Sequence, residues 1–383
     1  MNRIYLDNNA TTCPAPEVIE VVKESLEECW GNPSSVHYYG QEARAKLMHA
    51  RRSIAKALGV RATELFFHSG GTEGLNLLIR GLLGNKSNAH VISSNVEHPA
   101  VYKPLKNLQE EGVDVTFLEV GEWGAVTPEA VAESIRPNTA LIALMMVNNE
   151  TGVRTDIEAI ASIAEERKIP FLVDAVAGFG KEKIVIPSGV NAMVFSGHKF
   201  HAPKGIGAAY LRKGVSCNSL ACGGGQERGL RPGTENHSGV LALAKAVELY
   251  EASCDEASAR MKQLRNHFEK ALMSSLDGVA INGKGPRVCN TSNLSFEGVD
   301  GESLLLSLDL EGVCASHGSA CSAGSLEPSR VLVNMGLAHG RASSSVRFSL
   351  SRYTTEEEIE RAIEIIIRVV GRLRSVKKTA VSS

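Results

Sequence analysis

The 383-residue sequence carries almost no net charge, contains no long apolar run and has few cysteines, and each shortage excludes something. Lysine and arginine number 41 against 43 acidic residues, a formal net charge of −2. A protein built to hold a phosphate backbone carries a basic surplus, so nucleic acid is not expected as a partner. The apolar stretch 140–147 falls well short of the roughly 20 residues that a membrane helix requires. Residues 1–7 reach a charged, strand-like segment at once and leave no room for a signal peptide. No membrane partner is expected, and a cytoplasmic location is. Eight cysteines are too sparse for a disulfide scaffold. There is no CxxC and no HExxH, and Cys314 and Cys321 are spaced wrongly for a metal knuckle, so no intrinsic metal is expected.

What remains is ample for a core: 43% of the residues are hydrophobic, which excludes a wholly disordered chain. The length fits about two domains. Apolar, β-rich runs at 64–67, 90–93, 115–118, 141–147, 171–174, 192–196 and 207–211 alternate with amphipathic stretches. One such stretch is 157–168, with Ile157, Ile160, Ile163 and Ala164 on one face. Strands that are apolar throughout suit a mostly parallel sheet covered on both faces. The reading is therefore an α/β domain over 12–250 with a seven-stranded, mostly parallel sheet. A smaller α+β domain is expected from 1–11 and 251–383. It would comprise a helix at 257–276, short strands at 4–6, 291–296, 313–315 and 345–350, and a closing helix at 356–373. The polar tail 377–383 is expected to fray. No internal repeat or low-complexity tract is evident.

Open α/β sheets bind ligands beyond the carboxyl ends of their strands, so the residues after each strand carry the functional reading. After the first run comes Ser69-Gly70-Gly71-Thr72-Glu73-Gly74, whose glycines and following helix start can face an anion, though a tight turn explains them equally. It is neither a Walker loop nor GxGxxG. Asp174 ends a buried strand and needs a partner, either the next turn or a protonated heterocycle nitrogen. Ser196-Gly197-His198-Lys199 precedes Pro203-Lys204-Gly205, and either lysine can serve as a Schiff-base nucleophile; spacing does not choose between them. Glu97-His98 and Asn148-Asn149-Glu150 follow two further strands, so five strand ends converge in polar residues. Cys321 stands among small polar residues in 316–325, a setting for an exposed thiol rather than core filler, either a reactive thiolate or one exposed by chance. Arg347, on an alternating strand, can fork onto a carboxylate or make a surface ion pair.

Together these residues resemble the cysteine desulfurase family, within the aminotransferase class V group of fold-type I pyridoxal-phosphate enzymes. The resemblance extends over about 4–373. Its blocks are Tyr5-Leu6-Asp7-Asn8-Asn9-Ala10-Thr11-Thr12, Gly31-Asn32-Pro33-Ser34-Ser35, Ser69 to Glu73, Val147-Asn148-Asn149-Glu150-Thr151-Gly152, Ser196 to Lys199, Arg231-Pro232-Gly233-Thr234, and Gly318-Ser319-Ala320-Cys321 with Leu326-Glu327-Pro328-Ser329. The resemblance implies that Lys199, not Lys204, forms the Schiff base with pyridoxal 5'-phosphate. Gly71, Thr72, Ser196 and His198 would hold its phosphate. Thr234 would reach that phosphate from a neighbouring subunit, which implies a homodimer. Asp174 would pair with the pyridinium nitrogen. His98 would stack on the ring and serve as an acid–base group, Asn149 would contact the ring hydroxyl region, and Arg347 would bind the substrate carboxylate.

The stretch around Cys321 resembles the long-loop subgroup, whose members carry sulfur away on that segment. The implied reaction converts L-cysteine to L-alanine with a persulfide on Cys321, which passes to an acceptor such as an iron–sulfur scaffold protein. Any cluster near Cys321 would belong to that complex. A selenocysteine lyase or related β-lyase, and a weakly active partner-binding homologue, are the alternatives. One position departs from the family pattern: Ala177 stands where a glutamine usually hydrogen-bonds the cofactor's ring hydroxyl.

Overall fold

The structure, a computed structural model, describes residues 3–84, 88–318 and 327–382. The chain opens with a short strand, β1 (Ile4–Tyr5), and two helices, α1 (Pro16–Glu28) and α2 (Tyr38–Ala57). It then builds a seven-stranded sheet from β2 (Leu65–His68), β3 (His90–Ser94), β4 (Asp114–Leu118), β5 (Thr139–Met145), β6 (Phe171–Asp174), β7 (Ala192–Ser196) and β8 (Gly207–Leu211). Between them run α3 (Gly71–Leu83), α4 (Pro99–Glu110), α5 (Pro128–Glu133) and α6 (Ile157–Arg167). The spatial order is β2-β8-β7-β6-β5-β3-β4, and only β8 runs against its neighbours.

Successive side chains of a strand point to opposite faces, so an unbroken apolar strand feeds two cores. In β6, Phe171 and Val173 pack with α2, α6 and the next long helix, whereas Leu172 packs with α3 and α4. The seven strands expected from sequence are therefore present, each displaced by no more than two residues. The aligned pairs Met145↔Asp174 and Asp174↔Val194 bring the carboxyl ends of β5, β6 and β7 to one edge.

The remainder contains α7 (His237–Ser275), β9 (Val279–Ile281), β10 (Thr291–Phe296), α8 (Gly301–Leu310), β11 (Val313–Cys314), α9 (Arg330–Asn334), α10 (His339–Ser343), β12 (Ser345–Ser349) and α11 (Glu356–Ser382). Strands β12, β10 and β9 form a second, antiparallel sheet, and β1 pairs with β11. Leu294, Phe296, Val346 and Phe348 join Leu264, Phe268 and Ile363 in a separate core.

Two expectations are corrected. The helix expected at 257–276 begins at His237, because Val240, Leu243 and Val247 bury a helical stripe against the large sheet; only Ser253 leaves helical geometry (φ −140°, ψ 15°). The tail expected to fray continues α11 to Ser382, since no glycine or proline after Gly371 stops it. Among the described residues, no helix is long and apolar enough to cross a membrane.

Candidate active site

The strand ends enclose a cavity of about 200 Å³. Gly71, Thr72, His98, Asn149, Asp174, Ser196, His198, Lys199 and Arg347 all line it, joined by Asn9, Ala10 and Ala177. Lys204 is exposed and lies off this cavity, so geometry separates two lysines that spacing left equal. A larger cavity of about 580 Å³, lined by Trp123, Arg154 and Glu182, lies beside it. Its Arg154–Glu182 pair is closed at 3.2 Å, and none of the polar strand-end residues singled out from sequence lines it.

Lys199 follows β7 on a short 3₁₀ turn, and its Nζ donates to the carbonyls of Asn9 (2.7 Å) and Ala10 (2.9 Å). The N-terminal segment thus crosses over the strand ends. It is fixed there by Thr12 Oγ1 donating to the His198 carbonyl at 3.0 Å and by Asn9 Nδ2 donating to the Asn149 carbonyl at 3.1 Å. This role of Asn9 and Ala10 was missed at the level of sequence. The signal was present as a run of small polar residues directly after an apolar strand.

Asp174 is buried, and its Oδ1 accepts from the Val176 amide at 2.9 Å, so it does cap the following turn. Burial pushes its carboxyl up to about 6; the Val176 amide and the nearby Lys199 charge pull the other way. A carboxyl raised in the folded state stabilises the fold below its unfolded pKa, and that contribution disappears as pH rises through the folded value. Ionised Asp174 therefore costs the cofactor-free protein on the order of 3 kcal/mol at neutral pH. Asp174→Asn is expected to raise the melting temperature of cofactor-free protein at pH 7 and to lose that gain below about pH 4. Parallel melting curves for parent and variant from pH 4 to 7 would refute this assignment.

A second buried carboxyl, Glu97, accepts from Ser94 Oγ at 2.6 Å and is pushed up by burial to about 8, which leaves it protonated at neutrality. His98 next to it caps α4, its Nδ1 accepting from the Ala100 amide at 3.1 Å. Burial and the Lys199 charge hold the His98 imidazole down to about 4, so it is neutral with its proton on Nε2. His198 is likewise held down to about 4 by burial and the Lys199 charge, and its Nδ1 lies 3.2 Å from Thr11 Oγ1.

Arg347 sits in the middle of β12 and is 1% exposed, so the surface ion pair is not its role. It donates to Asp7 Oδ1 at 2.7 Å and to the Asn149 carbonyl at 2.9 Å, while its Nε has no partner. Its backbone also pairs with Ser316 (Arg347 N to Ser316 O, 2.7 Å). Cys321 itself lies outside the described residues, but both flanks of 319–326 meet the site. Ser329 Oγ donates to the Glu150 carboxylate, and a Cβ on Gly318 would stand 2.9 Å from Glu150 Oε2. Thr234 is exposed and does not line the cavity of its own chain.

The sequence profile of the aminotransferase class-V family matches residues 4–362. The fold and the lysine-bearing strand end place the chain in that family of pyridoxal-phosphate enzymes. A cysteine desulfurase of Trichormus azollae is 44% identical over 378 residues, covering 98% of this chain and 94% of that one. A solved NifS-like protein superposes with a TM-score of 0.90 at 34% identity, covering 97% of this chain and 100% of that one. SspA, solved in complex with cysteine, gives 0.80 at 34% identity, covering 92% and 99%. This chain belongs to the cysteine desulfurases.

The residues present fit the family's cofactor. Ser196 Oγ is buried with no hydrogen-bond partner, beside the uncapped start of α3. A Cβ at Gly71 would meet Val176 Cγ2 at 2.9 Å, so glycine keeps that approach open. The amides of the first turn of α3 and an orphaned hydroxyl are suited to an anion, and Asp174 can supply a negative charge to a protonated ring nitrogen.

Proposed function

We propose that this chain removes sulfur from L-cysteine, releases L-alanine, and carries the sulfur as a persulfide on Cys321 to an acceptor protein such as an iron–sulfur scaffold. The observation that carries the reading is convergence: Lys199, Asp174 and Arg347 face one cavity, and both flanks of the Cys321 segment are tied at Arg347 and Glu150. Pyridoxal phosphate, when bound, supplies an electron sink for charge developing on the substrate carbon.

The chain's own groups divide the remaining work. The α3 amides, Gly71, Thr72, Ser196 and His198 would hold the phosphate, His198 donating as a neutral imidazole. Asp174 would face the ring nitrogen, and a cation there would draw its raised pKa back down. His98 would cover the ring, and Asn149 would lie by the ring hydroxyl. Arg347 would take the substrate carboxylate with the guanidinium it now shares between Asp7 and Asn149. Lys199 would hold the cofactor covalently and then move the α-proton. The Cys321 thiolate would attack the substrate sulfur. The new S–S bond forms as the Cβ–S bond breaks, and the electron pair stays with the carbon fragment, which takes up a proton and leaves as alanine.

Thr234 would complete the phosphate site of a second copy. Its exposure supports a homodimer, as do the exposed Trp30, Val36 and Tyr38. We place the domain division near 250, where α7 kinks at Ser253.

Purified protein given L-cysteine and a reductant is expected to yield L-alanine and sulfide in equal amounts; no alanine above a pyridoxal phosphate control would overturn the reading. Comparing rates on cysteine and selenocysteine separates the lyase alternative.

Ala177 lines the cavity and has no side-chain donor for a ring hydroxyl. A hydrogen bond to a charged acceptor is worth roughly 1.5–3 kcal/mol, and less where water substitutes. Ala177→Gln is expected to shift the pH dependence of the bound cofactor's absorption band and to tighten cofactor retention. Identical spectrum, titration and affinity in both proteins would show that the position has no electronic role.

A further inference from the structure

Directly behind Lys199 lies a second lysine. Lys181 is 4% exposed, at the end of the loop that leaves β6, and its Nζ donates to the main-chain carbonyl of Lys199. The loop is pressed onto the Lys199 turn: Gly180 has φ +81°, and a Cβ there would stand 2.2 Å from Phe200 Cβ. Only glycine permits both that backbone and that contact. From the other side, Cys289 Sγ donates to the Lys181 carbonyl at 3.4 Å. The lysine is therefore held at both its main chain and its amine.

Among the described residues, the charged groups that act on it are of one sign. Lys199 and Arg352 both act on Lys181, and Lys181 in turn acts on His198 and His201, which burial keeps neutral. The acid-forming group facing it is the Cys289 thiol, pushed up by burial to about 11 and hence uncharged. The adjacent Glu182 is turned to Arg154, 3.2 Å away. An ammonium buried with no carboxylate against it is costly, and such a cost is typical of sites where charge is used.

We propose that Lys181 is a positioning residue for Lys199, which anchors the main chain of the nucleophile through its carbonyl and places a fixed positive charge behind its amine. A neighbouring cation disfavours a second protonated nitrogen, so Lys181 keeps the Lys199 nitrogen available in its unprotonated form. Burial holds Lys181 itself down to about 8, so its charge is present below that pH.

The proposal rests on Lys199 as the attachment residue, and the test separates the two. Borohydride reduction and peptide mapping of the loaded parent and variants first establish whether Lys199 carries the pyridoxyl group; its absence there sinks the attachment reading. The pH titration of the bound cofactor's absorption then judges Lys181. Lys181→Met is expected to move the midpoint upward by roughly 0.5–1 pH unit, because a like charge nearby has been removed. Lys181→Gln keeps a donor for the Lys199 carbonyl but no charge, so it should shift the midpoint in the same direction. Lys181→Arg keeps the charge and should restore the parent value. If Lys181→Met fails to fold, Lys181→Gln carries the same measurement. A parental midpoint in the uncharged variants, or a folded Lys181→Gln protein that does not load, overturns the proposal.

Discussion

Lys199→Ala protein is expected to fold, to retain pyridoxal phosphate only as a dialysable ligand, and to release no alanine above background. In the proposed mechanism the lysine has two functions whose losses would compound. As a proton carrier it would contribute roughly 10²–10⁴-fold, the usual range for a positioned acid–base group. As the covalent anchor it would also prevent the cofactor from leaving between turnovers. Folding should survive because Lys199 is not part of an apolar core: its amine touches the carbonyls of Asn9 and Ala10, which retain other ties to the chain. Borohydride should fix the cofactor in the parent and not in the variant. Retention of a reducible, covalently held cofactor in Lys199→Ala, with the label on Lys204, would transfer the role to the exposed lysine.

Cys321→Ser is expected to separate binding from turnover. The variant should take up cofactor and change its absorption on addition of L-cysteine, because Lys199, Asp174 and Arg347 are all untouched. It should then stop before alanine, since a hydroxyl is far less nucleophilic than a thiolate toward sulfur. The contacts of the flanking residues support the proposed choice of this cysteine among the eight. Ser316 is held on the backbone of Arg347, and Ser329 on Glu150, the neighbour of Asn149. Cys13 and Cys222 are exposed and do not line the cavity. Substantial turnover by Cys321→Ser would remove the persulfide step.

Much of this site was legible in the sequence because of a geometric rule. Parallel strands end along one edge, so Ser196, Asp174, Asn149, His98 and Thr72 could be grouped without any knowledge of contacts. The limits were those of side-chain direction and long-range pairing. Whether Lys199 or Lys204 entered the cavity depended on the turn after β7, not on spacing. The Arg347–Asp7 pair joins positions 340 apart, which no periodicity reveals. Lys181 resembled any surface lysine beside Glu182, and only the packing of Gly180 on Phe200 turned it inward. In the fold, β8 reads as one more apolar run, and its reversed direction is absent from composition. The first half of α7 was obscured by its small residues, Gly239, Ala242, Ala244 and Ala246, which carry a weak apolar signal although all four are buried.

The same helix binds the thermodynamics of the molecule together. Val240, Leu243 and Val247 belong to the core beneath the seven-stranded sheet, whereas Leu264, Phe268 and Leu272 belong to the core beneath β10 and β12. Melting either core would strip one half of α7 of its partners. A helix stabilised by its apolar face does not persist well on one half alone. The two cores are thus expected to unfold in one transition, with Ser253 too local an interruption to uncouple them. By linkage, a ligand that binds only the folded chain stabilises everything that melts with its site. Cofactor held at the edge of the large sheet is therefore expected to protect the small antiparallel sheet as well, although the residues proposed to hold it, from Gly71 to Lys199, follow strands of the large one.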